Sequence, residues 1–291
     1  MANDYEEPQI TDDDRLKIVA DFILHAPPGE FREVFNDVRH LLNNDLLLRD
    51  RAFNIFGQYR KDQLTPVQIE GSDEMCLITE FNEVNANRFI DPKSKKSFKY
   101  DYLTEEASDY QSWEPDQSNE SWRSALEEVW SSYCADHYYE GISAVFATTG
   151  SGGQIILNAC IEGHKFQPQN YWNGLWRTVW QIKFTPNQGK AELIGKIKAQ
   201  VHYYENGNVQ LVSLKEVTQS ITVKDEKQLA ESVKQAVEET ENDYQVAISK
   251  NYQSMSDTTF KALRRALPVT RSKIDWNKIM SYRIGNELKQ N

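Results

Sequence analysis

Apolar residues recur at helical spacing through the first sixty positions. In "TDDDRLKIVADFILHAPPG", Leu16, Val19 and Ile23 fall on one face. Thr11 and three aspartates stand where a helix N-terminus favours a cap and negative charge. Pro27, Pro28 and Gly29 end that helix. "GEFREVFNDVRHLLN" repeats the pattern with Phe31, Val34, Phe35, Val38, Leu41 and Leu42, and "NNDLLLRDRAFNIFGQYRKDQL" predicts a third helix. The texture changes at Thr65. "TPVQIEG", "EMCLITEFNEV" and "NRFIDPKSKKSFKYDYL" are short β-prone pieces broken by Pro, Gly and Asn. "DYQSWEPDQSNES" reads as a polar loop, and "SWRSALEEVWSSYCADHYY" as a helix with Trp122, Leu126, Val129 and Trp130 on one side.

The middle of the chain alternates. "GISAVFATT", "QIILNACIE", "LWRTVWQIKFT", "KAELIGKIKAQVHYYE" and "NVQLVSLKEV" predict five strands. "ENGN" at Glu205–Asn208 is a hairpin signal, because Asn-Gly tolerates the positive φ values of a tight turn. The connections are too short for crossover helices, except around "GHKFQPQNYWNG", so the sheet is expected to be antiparallel. "KIKAQVHYY" leaves one face apolar and the other polar or aromatic. "DEKQLAESVKQAVEETENDYQVAISKNY" then carries a narrow stripe of Leu229, Val233, Val237, Tyr244 and Ile248. That predicts a helix of roughly 40 Å, at ~1.5 Å per residue, lying across a sheet. The fold class expected is α+β.

Charge changes this picture at one end. The 291 residues carry a formal net charge of -11. Residues 261–291 hold eight Lys or Arg against two acids, a net +6, which leaves -17 on the remaining 260 residues. So acidic a body repels phosphates and makes nucleic acid a poor partner. Cys76, Cys134 and Cys160 stand too far apart for a metal or redox motif and read as buried, reduced thiols. The acidic N-terminus does not resemble a signal peptide, and no apolar run approaches the ~20 residues that cross a bilayer. A soluble cytoplasmic protein is expected.

Catalytic chemistry is weakly represented. "TTGSGGQ" at Thr148–Gln154 is the one Gly-rich loop, but a strand follows it where a phosphate cradle needs Lys-Ser/Thr opening a helix. A plain hairpin loop is expected there. Cys160, Glu162 and His164 alternate to one face, and a Cys–His pair can act as nucleophile and base. No third ligand or orienting acid is apparent, so a half-buried strand end is the favoured reading. His25, His40, His137 and His202 are scattered.

"NYQSMSDTTFKALRRALPVTRSKIDWNKI" at Asn251–Ile279 resembles the C-terminal segment of the F-actin-capping protein alpha-subunit family. "FNDVRHLLNND" at Phe35–Asp45 and "DQLTPVQIEG" at Asp62–Gly71 resemble its helical layer and the segment after it. "FQPQNYWNGLWRTVW" at Phe166–Trp180 and "QVHYYENGNVQLVS" at Gln200–Ser213 resemble its sheet. The likeness covers almost the whole chain and is least firm at Tyr110–Ser121 and in the "TGSGG" loop. It implies an intertwined, pseudo-symmetric heterodimer with a beta subunit, each subunit giving five strands to one continuous sheet. It implies calcium-independent capping of the barbed ends of actin filaments through C-terminal tentacles, in the cytoplasm and cytoskeleton. It implies no enzyme activity and no cofactor. Four parts are expected: a helical layer at 1–64, a small β-rich segment at 65–115, helix, sheet and long helix at 116–256, and the tentacle at 257–291.

The tail suits that role. On a helix from Asp257 to Leu267, at ~100° per residue, Phe260, Leu263 and Leu267 share an arc of about 60°. Lys261 and Arg265 point nearly opposite, with Arg264 at the border. Pro268 breaks the helix, and "SKID" at Ser272–Asp275 fits a box that restarts it. Trp276 supplies a second anchor. Lys261, Arg264, Arg265, Arg271 and Lys273 are thus the actin-binding candidates, and Phe260, Leu263, Leu267 and Trp276 the anchors. The rival reading of the same residues is a membrane-surface helix that binds phosphoinositides.

Overall fold

The computed structural model describes residues 10–257, apart from Asp73, Asn187, Asn206 and Gly207. Every tail residue named above, and the central Asn-Gly of "ENGN", lies outside the described residues. The chain falls into two compact units, one reaching Val237 and one beginning at Glu238.

Four helices open the first unit. Helix α1 (Asp12–Leu24) starts on a capping box: the Asp14 N–H donates to Thr11 Oγ1 at 3.2 Å, and the Thr11 backbone N–H donates to Asp14 Oδ2 at 3.4 Å. Leu16, Val19 and Ile23 are buried as their spacing requires. Helix α2 (Phe31–Leu42) ends on Asn43 in the left-handed conformation, where asparagine replaces the usual glycine at low cost. The single third helix expected from sequence is two, α3 (Asp45–Arg51) and α4 (Phe53–Asp62), divided at fully buried Ala52. Leu47 and Leu48 on one piece and Phe56 and Tyr59 on the other enter the same core.

That core continues into two small sheets. Strands β1 (Pro66–Gln68) and β2 (Met75–Leu77) pair antiparallel. Strands β3 (Glu83–Asn85), β4 (Arg88–Asp91), β5 (Lys96–Tyr100) and β6 (Ala107–Ser112) form a four-stranded meander. β6 takes in Asp109–Ser112, part of the stretch read from sequence as a loop. Its side chains are mostly exposed, so no apolar alternation marks it, and backbone pairing with β5 makes it a strand. Phe31, Phe56, Tyr59, Phe89, Phe98, Tyr100 and Tyr102 join the helices and this meander in one aromatic cluster.

Helix α5 (Glu120–His137) precedes the main sheet. The sheet holds β7 (Ile142–Thr149), β8 (Ile155–Gln167), β9 (Trp172–Phe184), β10 (Lys190–Tyr203) and β11 (Val209–Thr222), all antiparallel, in the order β11-β10-β9-β8-β7. The α+β class and the five-stranded sheet agree with the sequence reading. The Gly-rich loop is a hairpin turn, with Gly152 and Gly153 at positive φ. "GHKFQPQNYWNG" is not a long connection, because β8 and β9 run on through it and meet at a short 3-10 turn over Pro168–Asn170.

One face of the sheet is apolar, with Leu157, Ala159, Trp180, Ile182, Leu193 and Ile197 buried in cross-strand register. Trp122 of α5 packs on Phe184 of this face, with ring centroids 4.7 Å apart. The Trp180 indole lies over Gly195 across the ladder, so a Cβ built at Gly195 would come within 2.2 Å of the ring. Trp180 is fully buried and has no room to yield. Gly195→Ala is therefore expected to cost roughly 1–3 kcal/mol as overpacking, read as a lower urea midpoint at unchanged slope.

The opposite face carries Glu162, Asn173, Arg177, Gln200 and His202, all buried. The helical layer covers them. Glu30 accepts from Asn173 Nδ2 at 3.1 Å and lies 2.5 Å from His202 Nδ1. Arg177 donates to the Asp62 carbonyl at the end of α4. Helix α6 (Glu226–Asp257) is the long helix, and its expected stripe is found, with Leu229, Val233, Val237 and Tyr244 buried.

Candidate functional site

The two edges of the five-stranded sheet are finished differently. At β7 the outward backbone of Val145 is occupied by α5: its N–H donates to Glu127 Oε2 at 2.9 Å, and its carbonyl accepts from Arg123 Nη1 at 3.5 Å. Arg123 and Glu127 stand one helical turn apart and are paired at 3.1 Å, with Lys93 3.3 Å from the same carboxylate. Burial pushes Glu127 up from its ordinary carboxylate range, and Lys93 and Arg123 hold it down only in part. This buried network blocks the β7 edge. Sequence reading assigned it no role, although the Arg–Glu spacing was visible on α5.

At β11 no such cover exists among the described residues. Fourteen residues pair with β10, from Tyr203↔Val209 to Lys190↔Thr222, and no strand or helix pairs with the outer side. Val209, Val212 and Leu214 are 51%, 51% and 59% exposed. A long edge with exposed β-branched and aliphatic residues is a template for another strand. A second uncovered apolar surface lies between α1 and α2, where Ile10, Ile18, Phe22 and Leu41 rim a groove of about 290 Å³.

Cys160, Glu162 and His164 are brought to one face, as alternation requires. His164 Nδ1 lies 2.8 Å from Glu162 Oε1, so an orienting acid is present, which the sequence reading did not find. Cys160 is fully buried, and that burial pushes its thiol far above the range in which thiolate forms. The arrangement is an imidazole–carboxylate pair beside an inert thiol. The hydrogen bond to Glu162 raises the His164 pKa above its ordinary value, against a smaller opposing effect of burial. A raised folded-state pKa means that the pair stabilises the fold fully below pH ~6.5, and that this stabilisation fades as pH rises through the folded value. His164→Ala should accordingly lower the melting temperature more at pH 6 than at pH 8. Equal losses at both would show that the pair is not charged.

Among the described residues no cluster of His, Cys, Asp or Glu has the geometry to hold a metal ion, and no helix is long and apolar enough to cross a membrane. The structure therefore brings forward an open strand edge, while the nine tail residues singled out from sequence lie beyond its described part.

Comparison with known proteins agrees with this geometry. The family model for the F-actin capping protein alpha subunit matches residues 19–287. The F-actin-capping protein subunit alpha of Caenorhabditis elegans is 48% identical over 286 residues, covering 97% of this chain and 99% of its own. That of Dictyostelium discoideum is 38% identical over 277 residues, covering 94% and 98%. Among solved structures, a homodimeric actin capping protein alpha subunit from Plasmodium berghei has the same fold, with a TM-score of 0.72 at 19% identity over 81% of this chain and 92% of that one. A five-stranded meander with no described strand beyond β11, a long striped helix and a family match that runs from residue 19 to residue 287 lead to one assignment: the chain belongs to the F-actin capping protein alpha-subunit family.

Proposed function

We propose that this chain is the alpha half of a heterodimer with a beta subunit of similar fold, and that the heterodimer caps the barbed ends of actin filaments. The observation that carries this reading is the extent of the family match, which reaches residue 287 and so takes in the basic tail as well as the sheet. The beta subunit lays a strand along β11, extending the sheet to one continuous ladder, and covers apolar surface that the single chain leaves open. The working parts are the helical layer at 1–64, the β-rich segment at 65–115, the helices and sheet at 116–256 and the tentacle at 257–291.

The tentacle makes the contact with actin. Lys261, Arg264, Arg265, Arg271 and Lys273 meet the acidic filament end, while Phe260, Leu263, Leu267 and Trp276 seat the segment on its own heterodimer. Opposite charge speeds the encounter and fixes its register. Two arms, one from each subunit, engage two terminal actins and prolong residence through effective concentration. The bound complex occupies the surface on which the next actin would land, so both addition and loss stop. The protein acts by binding, without catalysis or cofactor and without calcium, in the cytoplasm and cytoskeleton. Phosphoinositides and regulatory proteins compete for the same basic surface.

The test is co-purification with a beta subunit, followed by elongation of actin from filament seeds in calcium and in chelator. Arrest of barbed-end growth at substoichiometric complex in both conditions is the expected result. Unaltered growth, with tight binding to anionic vesicles, would favour the membrane-surface alternative.

A further inference from the structure

A cavity of about 320 Å³ lies between the end of α4, the Thr79–Phe81 turn and the buried polar face of β9–β11. Four cations line it, and two of them lack a carboxylate partner among the described residues. Arg177 on β9 and Lys198 on β10 are direct cross-strand neighbours. The Arg177 side chain is almost wholly buried: one Nη donates to the Asp62 carbonyl, the other to Gln200 Oε1, and Nε has no partner. Lys198 is half-buried, and among the described residues neither it nor Arg177 has a carboxylate within ion-pair distance. The other two lysines of the cavity are engaged, Lys61 with Glu83 at 2.7 Å and Lys196 with Glu216 at 3.6 Å.

Buried charges are almost always paired, because an ion loses its hydration on leaving water. Burial, and then repulsion from Arg177, lowers the Lys198 pKa, and burial brings Arg177 down to about 10. The acids on the walls do not offset this. Asp62 accepts from Gln58 Nε2 at 2.8 Å and raises Lys198 less than Arg177 lowers it, and Glu80 makes no ion pair with either cation. Glu162, directly across from Arg177 on β8, favours the Arg177 charge less than burial opposes it and is engaged with His164, so among the described residues no carboxylate pairs with either cation. The cavity mouth includes Leu214 of β11, the edge strand of the described sheet, so a chain laid along that edge passes beside it.

We infer that this cavity receives an aspartate or glutamate side chain of the subunit that pairs along β11, its carboxylate held between Lys198 Nζ and Arg177 Nε. The inference rests on the heterodimer reading above, and adds to edge pairing a charged lock that fixes the register of the second chain. A carboxylate suits the geometry because it accepts from both donors at once.

The experiment uses the complex with the beta subunit. Zero-length carbodiimide coupling joins an amine to a carboxylate in contact with it, and peptide mass spectrometry then identifies the carboxylate joined to Lys198. An aspartate or glutamate of the beta subunit is expected. Subunit exchange against a labelled alpha chain is measured for Lys198→Met, Lys198→Arg and the exposed Lys190→Met. Exchange should accelerate at least ~10-fold for Lys198→Met, recover toward wild type for Lys198→Arg, and stay unchanged for Lys190→Met. Lys198 joined only to Asp62 or Glu80, or left uncoupled, overturns the inference, as does exchange of Lys198→Met at the wild-type rate. Should Lys198→Met fail to fold, the coupling on wild type decides alone. A wild-type chain that does not pair with beta at all overturns the heterodimer reading as well, so the two failures are distinguishable.

Discussion

On the proposed function, replacing Lys261 and Arg265 together by alanine is expected to weaken barbed-end capping by roughly 100-fold, with the heterodimer and its melting temperature intact. On the helix that the spacing predicts for Asp257–Leu267, both residues fall opposite the stripe of Phe260, Leu263 and Leu267, so their loss is expected to leave the seating of the segment unchanged. The size follows from where the charges act. An exposed ion pair contributes only ~0.2–1 kcal/mol, whereas a charge partly desolvated at an interface costs ~2–5 kcal/mol on truncation. About 1.4 kcal/mol corresponds to tenfold, so two contacts at the low end of the second range exceed 100-fold, less whatever solvent screening remains. Salt separates this from a packing defect: ~0.1 M ions screen charges beyond ~10 Å, so wild-type association slows as salt rises while the double variant responds less. Leu263→Ala weakens capping by loosening how the helix is presented, with the wild-type salt response kept. Elongation from filament seeds across a salt series reads all three proteins. A double variant that caps as tightly as wild type at every concentration would make the basic face an ordinary solvated surface.

Introducing carboxylates along the β11 edge is expected to abolish the proposed heterodimer. Val209 and Val212 are each about half exposed on β11 in the single chain, and a strand laid against that edge would cover them. Val209→Asp with Val212→Asp places two unpaired charges where a second chain closes over them, at a cost of several kcal/mol. Heterodimer yield should fall by ~100-fold or more at equal expression. The wild-type alpha chain produced alone should aggregate, because the same edge remains open. Size-exclusion chromatography with light scattering measures both. A monodisperse, cooperatively folding wild-type monomer, or a double variant that pairs normally, would place the subunit interface elsewhere.

Much of this fold is local, and what is local was legible. Thr11 followed by three aspartates marks a helix start because its cap is closed within one turn, by Asp14. The stripe of Leu229, Val233, Val237 and Tyr244 marks a helix because burial selects one face at a period of 3.6. The meander followed from alternation and short connections. The tail was read from its charge and from family likeness, and that reading stands on sequence alone.

Other features exist only once distant segments meet. Alternation in "KIKAQVHYY" marked Gln200 and His202 as part of a polar or aromatic face of the sheet, and such a face ordinarily meets water. Here the helical layer docks on it and supplies the Asp62 carbonyl and the Glu30 carboxylate as partners. β6 is a strand through backbone pairing that its side chains do not announce, and the spacing of Leu48, Ala52, Phe56 and Tyr59, which suits one helix, does not mark the division at Ala52. The unlike edges of the main sheet are decided in the same way. Nothing within β7 or β11 distinguishes a closed edge from an open one. β7 is closed because α5 folds back and places Glu127 on the Val145 amide, and β11 is open because no later described segment returns to it. The sequence by itself determined which elements form and where the positive charge gathers, since spacing and composition are properties of neighbours in the chain. Which polar groups are buried, and which edge is free to pair, only the tertiary structure decided, because hydrogen-bond satisfaction depends on what comes to lie alongside.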